Sequence, residues 1–415
     1  MSIIKKDLLI KMLWTVKKGC YRILQMLETL VFHQLTKEEP KLLSGPGSIK
    51  ELYNEIKSEG VGNPLVVTDK GLTKLKLLDG MLKTFNENNI KYIIFDDVLP
   101  NPTVNMVETA KNVFLENSCD CMIGFGGGSP IDVAKIALAL VAKPDTAVRD
   151  LGLYFSIKSD VPPFFAVPTT AGTGTETNFV GVIADPDNRE KFATASKKLL
   201  AKCIVLDPEL SLGLPPHVTA TTGIDALTHA VESYTNIVGG ASCEENATKA
   251  VKLIFENLLN LYKNGNQIEA REAMAQAAFY AGMAMKTGFL GYVHAIAHKL
   301  GGMYDIPHGL ANAVILPYVL DYYGEKIHKK LSKLAIAAGI EGENESESTL
   351  AEKFIQAIRD LNKKMNIPSS IKEINDEDID DIAETALKEA HPMYPVPKFM
   401  KLVDMKELIT KLKSN

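Results

Sequence analysis

Cys121-Met122-Ile123-Gly124-Phe125-Gly126-Gly127-Gly128-Ser129-Pro130-Ile131-Asp132 reads as a strand, a glycine turn and the start of a helix. The strand is expected to end near Gly124. Gly126, Gly127 and Gly128 permit a tight turn and a close approach of ligand to backbone. Ser129 suits a helix cap, Pro130 the first helical position, and Asp132 the partner of a capping box. Free N–H groups and the positive end of a helix favour an anion such as a pyrophosphate. The spacing is G-x-G-x-x-S, short of the full dinucleotide fingerprint, and it does not follow the first strand. On its own it suits an ordinary β–α turn as well.

Working outward, short apolar runs alternate with helical stretches. Leu65–Thr68, Tyr92–Phe95, Met122–Gly124, Phe164–Val167, Val180–Ala184 and Ile204–Leu206 read as strands. Strands alternating with helices imply a parallel sheet. Pro168-Thr169-Thr170-Ala171-Gly172-Thr173-Gly174-Thr175-Glu176 is a second small, hydroxyl-rich loop directly after such a run. Two loops beyond the carboxyl ends of parallel strands suggest a nucleotide crevice. Past Leu214-Pro215-Pro216 only helices are expected, near 217–235, 244–263, 267–286, 309–338, 348–365, 376–390 and 404–413. The expected division is an N-terminal helical extension over 1–40, an α/β nucleotide-binding domain over 41–210 and an all-helical domain over 211–415.

The chain has 415 residues, 46% hydrophobic and 23% charged, which excludes disordered and collagen-like chains. Its net charge of −5 gives no electrostatic case for a nucleic-acid partner. Five cysteines are too few for a disulfide framework, so a cytoplasmic setting is expected. Residues 1–35 are the exception in charge: they sum to +4 against −9 for the remainder. Lys5, Lys6, Lys11, Lys17, Lys18 and Arg22 interleave there with aliphatic residues, as in an amphipathic helix. Packing on the protein's own body or on a second subunit is the favoured reading. A membrane-surface helix with Trp14 at the interface is the alternative.

The all-helical half carries the chemistry. Asp225 and His229 stand four residues apart on an expected helix, hence on one face, and His294 and His298 repeat that spacing. His308 follows Pro307 and belongs at a turn or helix start. Carboxylate and imidazole together suit Fe(II) or Zn(II). Core or capping histidines would be the bland reading of any one of them. His33, His217, His328 and His391 are isolated and read as surface or capping residues.

Two long motifs add to this. One runs from Ile204-Val205-Leu206-Asp207-Pro208 through Pro215 to Gly223-Ile224-Asp225-Ala226-Leu227-Thr228-His229-Ala230-Val231-Glu232. The other runs from Gly291-Tyr292-Val293-His294 through His298 and Gly301-Gly302 to Pro307-His308-Gly309. With the two loops above, they resemble the iron-containing (group III) alcohol dehydrogenase family over roughly residues 41–400. The resemblance implies a dehydroquinate synthase-like architecture, with Asp225, His229, His294 and His308 as metal ligands. It implies that His298 is an unliganded catalytic histidine concerned with cofactor contact and proton transfer. It also implies cofactor roles for Asp69, Asn101, Gly126, Gly127, Gly128, Ser129, Thr169, Thr170, Thr173 and Lys191. An acid at Asp69 favours NAD over NADP.

The implied activity is that of an NAD(H)-linked alcohol dehydrogenase or aldehyde reductase acting on a small primary alcohol or diol. Hydride would leave a metal-bound alkoxide for the nicotinamide, with Fe(2+), or else Zn(2+), as the metal. Polyol dehydrogenation and hydroxyacid–oxoacid transhydrogenation are the alternatives, and a dehydroquinate synthase-type lyase is more remote. A homodimer is expected. The chain departs from the family in residues 1–40, and at Lys286-Thr287-Gly288-Phe289, where many members carry a Ser-Asn pair near the substrate pocket. Lys286 could there answer an anionic substrate or face solvent.

Overall fold

A computed structural model describes the backbone of all residues except 1, 2, 36, 37, 152–156, 158, 186–189, 341, 343, 344, 414 and 415. The side chains of Lys5, Lys6 and Lys11, part of the basic N-terminal pattern, lie outside the described residues.

Eight strands lie in the first half: β1 Lys41–Ser44, β2 Pro64–Val67, β3 Ile93–Phe95, β4 Cys121–Gly126, β5 Phe164–Pro168, β6 Val180–Asp185, β7 Glu190–Ala195 and β8 Cys203–Leu206. Helices α1 Ile3–Leu35, α2 Leu52–Ser58, α3 Lys70–Lys74, α4 Asp79–Glu87, α5 Val104–Glu116 and α6 Gly128–Ala142 accompany them. The second half is helical: α7 Pro216–Thr235, α8 Gly240–Lys263, α9 Ile268–Gly288, α10 Tyr292–Tyr304, α11 His308–Tyr323, α12 His328–Ala337, α13 Glu347–Lys364, α14 Ile379–Ala390 and α15 Leu402–Lys413.

Six strands form one parallel sheet in the order β1-β8-β5-β4-β2-β3. Its central strands are apolar on both faces because both are covered. Leu65, Val67, Met122 and Phe164 pack under α5 and α6. Val66, Ile123, Phe125 and Phe165 face α2 and α4. The chain runs outward from β2 to β3, then returns to β4 and proceeds the other way through β5 and β8. The carboxyl ends of β2 and β4 therefore flank a topological switch point, the place where open α/β sheets leave a crevice.

Several expectations need correction. β4 continues to Gly126, and α6 begins at Gly128 with Gly127 as its cap residue and no side-chain cap. Ser129 is thus already inside the first turn and Pro130 lies deeper than the first position. Asp132 makes no capping box: it accepts from Thr175 Oγ1 at 2.6 Å and from the Val182 N–H at 3.3 Å. Val180–Ala184 is a strand, but it forms an antiparallel ribbon with β7 apart from the main sheet. The stretch 309–338 is two helices, broken at Gly324, whose φ of 51° no aliphatic side chain would favour. His391 is the half-buried cap residue that ends α14, and its ring packs against Tyr21, Tyr292 and Phe399.

α1 lies on the helical half. Gln25 Nε2 donates to the carbonyls of Pro392 and Tyr394 at 2.6 and 2.8 Å, and Arg22 donates to that of Val396 at 2.7 Å. Trp14 is partly buried and packs against the helical core. Among the described residues, no helix is long and apolar enough to cross a membrane.

Candidate metal centre and cofactor crevice

α7 offers Asp225 and His229 from successive turns of one buried face, and α10 brings His294 against them. The donor atoms of these three side chains all lie within 4.8 Å of one another. The Nε2 atoms of His229 and His294 are 2.9 Å apart, and the two rings stack at 4.5 Å. His308, the first residue of α11, places Nε2 3.6 Å from Asp225 Oδ1. The first three are buried, whereas the His308 side chain is 29% exposed, so the cluster has one open side.

Protonation fits cation binding. Burial lowers the pKa of His229; burial and the neighbouring imidazoles hold His294 well below its usual value. Burial likewise takes His308 down to about 3. The rings are therefore neutral near pH 7 and keep lone pairs to donate. His294 Nδ1 lies 2.6 Å from Glu232 Oε2, which assigns its proton to Nδ1 and leaves Nε2 as the bare nitrogen facing His229. Asn312 Nδ2 stands among the donors, 2.6 Å from Asp225 Oδ1, 3.2 Å from His294 Nε2 and 3.1 Å from His308 Nε2. Two amide hydrogens cannot serve three acceptors, so the donor set is richer than its protein partners and suits a divalent cation.

His298 stands beside the cluster, its ring stacked on His308 at 5.3 Å. Its Nδ1 is 2.7 Å from Glu389 Oε1, which also accepts from the Tyr394 hydroxyl at 2.8 Å. Glu232 was foreseeable, because it stands three residues after His229 on the same helix face, and Asn312 likewise follows His308 by one turn. Glu389 had no local signal; it arrives from α14, 91 residues away.

The glycine turn and the threonine loop meet. A Cβ at Gly128 would lie 3.0 Å from Thr173 Cγ2, and one at Gly127 would lie 3.4 Å from Thr170 Oγ1. Gly126 has φ 149°, and a Cβ there would strike Pro130 at 2.7 Å. The result is a side-chain-free backbone cradle at the switch point, of the kind that receives a pyrophosphate. Buried Lys135 of α6 ties the threonine loop to β6, donating to Thr175 Oγ1 at 2.9 Å and the Val180 carbonyl at 2.8 Å. Thr169 is buried under the cradle.

Asp69 follows β2 on the other side of the switch point; its Oδ1 caps α3 through the N–H groups of Gly71 and Leu72. Asn101 joins the two halves: it accepts from Lys191 Nζ at 3.0 Å and donates to Asp305 Oδ1 at 2.7 Å. Lys286 is elsewhere, buried and donating to the Glu38 carbonyl at 2.8 Å. It fastens the segment after α1 and does not face solvent.

A dinucleotide cradle beside a carboxylate–imidazole metal cluster defines a metal-dependent, nucleotide-linked oxidoreductase. Residues 39–208 match the family described as iron-containing alcohol dehydrogenase, and residues 219–412 match the C-terminal part of the Fe-containing alcohol dehydrogenase family. The chain belongs to the iron-containing alcohol dehydrogenases, which makes it a metal-dependent, NAD-linked enzyme of alcohols and aldehydes. It is 36% identical to alcohol dehydrogenase 4 of Saccharomyces cerevisiae over 357 residues, 85% of this chain and 92% of the relative. It is 38% identical to 1,3-propanediol dehydrogenase of Klebsiella pneumoniae over 354 residues, 84% of this chain and 90% of the relative. A solved 1,3-propanediol oxidoreductase superposes with a TM-score of 0.87 at 35% identity, covering 90% of this chain and 98% of its own.

Proposed function

We propose that this enzyme interconverts a small primary alcohol or diol with its aldehyde, using NAD(H) and a divalent iron held by Asp225, His229, His294 and His308. The observation that carries the reading is the convergence of neutral imidazole nitrogens on Asp225 in a buried cluster whose open side is lined by His308 and His298. Relatives named for alcohol and 1,3-propanediol support the substrate class. The iron would polarise a substrate oxygen, and the nicotinamide would carry the hydride.

The residues do the rest. Glu232 fixes the His294 ring so that Nε2 points inward. Glu389 holds the proton of His298 at Nδ1 and leaves Nε2 free to take or return a proton. Gly126, Gly127, Gly128 and Ser129 receive the pyrophosphate, and Thr169, Thr170 and Thr173 wall it in. Asp69, beyond β2, is assigned to the adenosine ribose. Asn101 and Lys191 sit where the two halves meet and orient the cofactor between them. The working units are the extension over 1–40, the nucleotide domain over 41–210 and the metal domain over 211–415. All five cysteines are free thiols, which suits a reducing, cytoplasmic setting.

The test is metal analysis of protein purified without air, joined to NADH oxidation against aldehydes, oxoacids and diols. Stoichiometric iron with turnover on a short aldehyde, both lost in Asp225→Ala, is expected. Full metal occupancy with no nicotinamide turnover on any substrate would overturn the reading.

A further inference from the structure

α1 is held to the body by one face only. Trp14, Tyr21, Arg22 and Gln25 form that face: Gln25 and Arg22 bond to carbonyls of the 392–396 segment, and the Arg22 guanidinium lies 4.1 Å over the Phe399 ring. The aliphatic residues are on the other face. Leu13, Val16, Cys20, Ile23, Leu27 and Leu30 all point to solvent, the five aliphatic ones between 55% and 66% exposed. At 3.6 residues per turn, the two faces lie roughly 180° apart. An amphipathic helix whose sole partner was its own domain would bury the aliphatic arc and expose the polar one. Here the arrangement is reversed.

The spacing identifies the occupant. Those six positions follow one another at alternating steps of three and four, the a and d sequence of a heptad repeat. Leu24 and Met26 widen the strip, at 44% and 64% exposed. Together the side chains form one continuous exposed apolar strip from Leu13 to Leu30, and a contiguous patch of that kind marks an interaction surface. Charge separates a helix partner from a lipid surface. A membrane-surface helix presents basic residues to the head groups from its polar face, whereas here that face lies on the body, with Arg22 on the Val396 carbonyl. Among the described residues, Lys17 is the one charged side chain at the flanking positions, and its ammonium lies 5.5 Å over the Tyr21 ring. Over Leu13–Leu30, two such faces can therefore meet without opposing like charges.

We propose that the outward face of α1 is a self-association surface, pairing as a coiled-coil seam with α1 of a second copy of this chain. The inward face keeps each helix on its own body. α1 precedes both stretches matched by the family, so the contact is an addition to the enzyme core. It is independent of the metal and cofactor assignments above.

The experiment uses the full chain and measures particle mass by sedimentation velocity, for wild type and for Val16→Glu/Ile23→Glu. Turnover per chain and circular dichroism control for folding. The mass is expected to fall to one half or less in the double variant, with turnover unchanged. Co-expression with a Val16→Lys/Ile23→Lys chain is expected to restore it. Should the glutamates prevent folding, Leu13→Ala/Leu27→Ala is expected to weaken association at least tenfold. A wild type that is monomeric at every concentration overturns the proposal, as does equal mass in wild type and variants. Sedimentation with anionic phosphatidylserine vesicles, lost in the double variant while mass is unchanged, also overturns it and assigns the face to lipid.

Discussion

The Glu232 carboxylate and the His294 ring meet at 2.6 Å, from Oε2 to Nδ1, with both side chains buried. The same carboxylate accepts from the backbone N–H groups of Gly291 at 2.9 Å and Val293 at 2.7 Å. One side chain of α7 thus caps the start of α10 and sets the tautomer of a histidine in the proposed metal cluster. Burial pushes the Glu232 pKa up, and the three donors resist that shift. Glu232→Gln keeps the volume but turns a donor toward groups that need an acceptor. Loss of such a partner typically weakens metal binding by about 10–100-fold. Chelator competition on the variant is expected to show that loss with the fold retained; equal affinity would refute the positioning role.

With Asp225 as a proposed ligand, the metal would be a stabiliser as well as a reagent. A cation that binds the folded chain alone adds about 2.7 kcal/mol at a hundredfold excess over its Kd. Adding ferrous iron to chelator-treated protein is expected to raise its melting temperature and restore turnover together. Asp225→Asn is expected to remove most of both effects. A melting temperature that ignores iron would detach the cluster from metal binding.

Lys191, Asn101 and Asp305 form a chain of two hydrogen bonds across the crevice, from β7 to the end of α10. Burial lowers the Lys191 pKa, with Asp132 and Asp305 opposing the shift. Lys191→Ala is expected to raise KM for NADH about tenfold, roughly one charge-assisted hydrogen bond's worth. Its kcat should change less. An unaltered KM would remove Lys191 from the cofactor site.

How legible all this was depended on how local the determinants are. β2, β4, β5 and β8 stand out as apolar runs because both of their faces are covered. β1 escaped notice: Lys41-Leu42-Leu43-Ser44 is an edge strand, half exposed, with no such run. β7 gives no apolar run, because Glu190, Lys191 and Thr194 interrupt Glu190–Ala195. The spacing of Asp225 with His229 and of His294 with His298 is a property of single helices, so it reads directly. Glu389 beside His298 depends on how α14 packs against α10, which no local pattern encodes. The misplaced cap at Ser129 is an error of two residues in where α6 begins. Asp132 then had a different task, bonding Thr175 and the Val182 N–H.

His391 gives the pH dependence. Its Nε2 lies 2.6 Å from the Tyr292 hydroxyl, and Tyr21 and Phe399 pack on its ring. Burial, then the charges of Lys17 and Arg22, lower its pKa from 6.5 to about 4. The folded state therefore holds fewer protons than the unfolded state between those values. Stability from the neutral ring is fully present above pH 6.5 and is lost as pH falls through 4. From pH 7 to pH 5 the loss is up to about 2 kcal/mol. Urea midpoints at the two pH values should differ less in His391→Gln than in wild type. An equal difference would mean that the ring does not titrate as described.

Gly309 shows how tightly α7 and α11, which carry the proposed ligands, are set. A Cβ on it would lie 2.5 Å from the Thr221 carbonyl oxygen and 2.9 Å from the carbonyl carbon. That obstacle is backbone of α7, one turn before Asp225, and Gly309 is the neighbour of His308 on α11. Neither side can yield by a rotamer change, so Gly309→Ala must push the two helices apart. Overpacking of this kind costs about 1–3 kcal/mol. The displacement falls on the pair whose donor atoms are 3.6 Å apart, His308 and Asp225. Gly309→Ala is therefore expected to lower the melting temperature and weaken iron binding together. Gly213→Ala, where a Cβ meets nothing within 4 Å, serves as the control and should stay within about 0.5 kcal/mol of wild type. If Gly309→Ala loses stability but binds iron as before, the close approach of α7 and α11 serves packing alone and does not set the distance between the ligands.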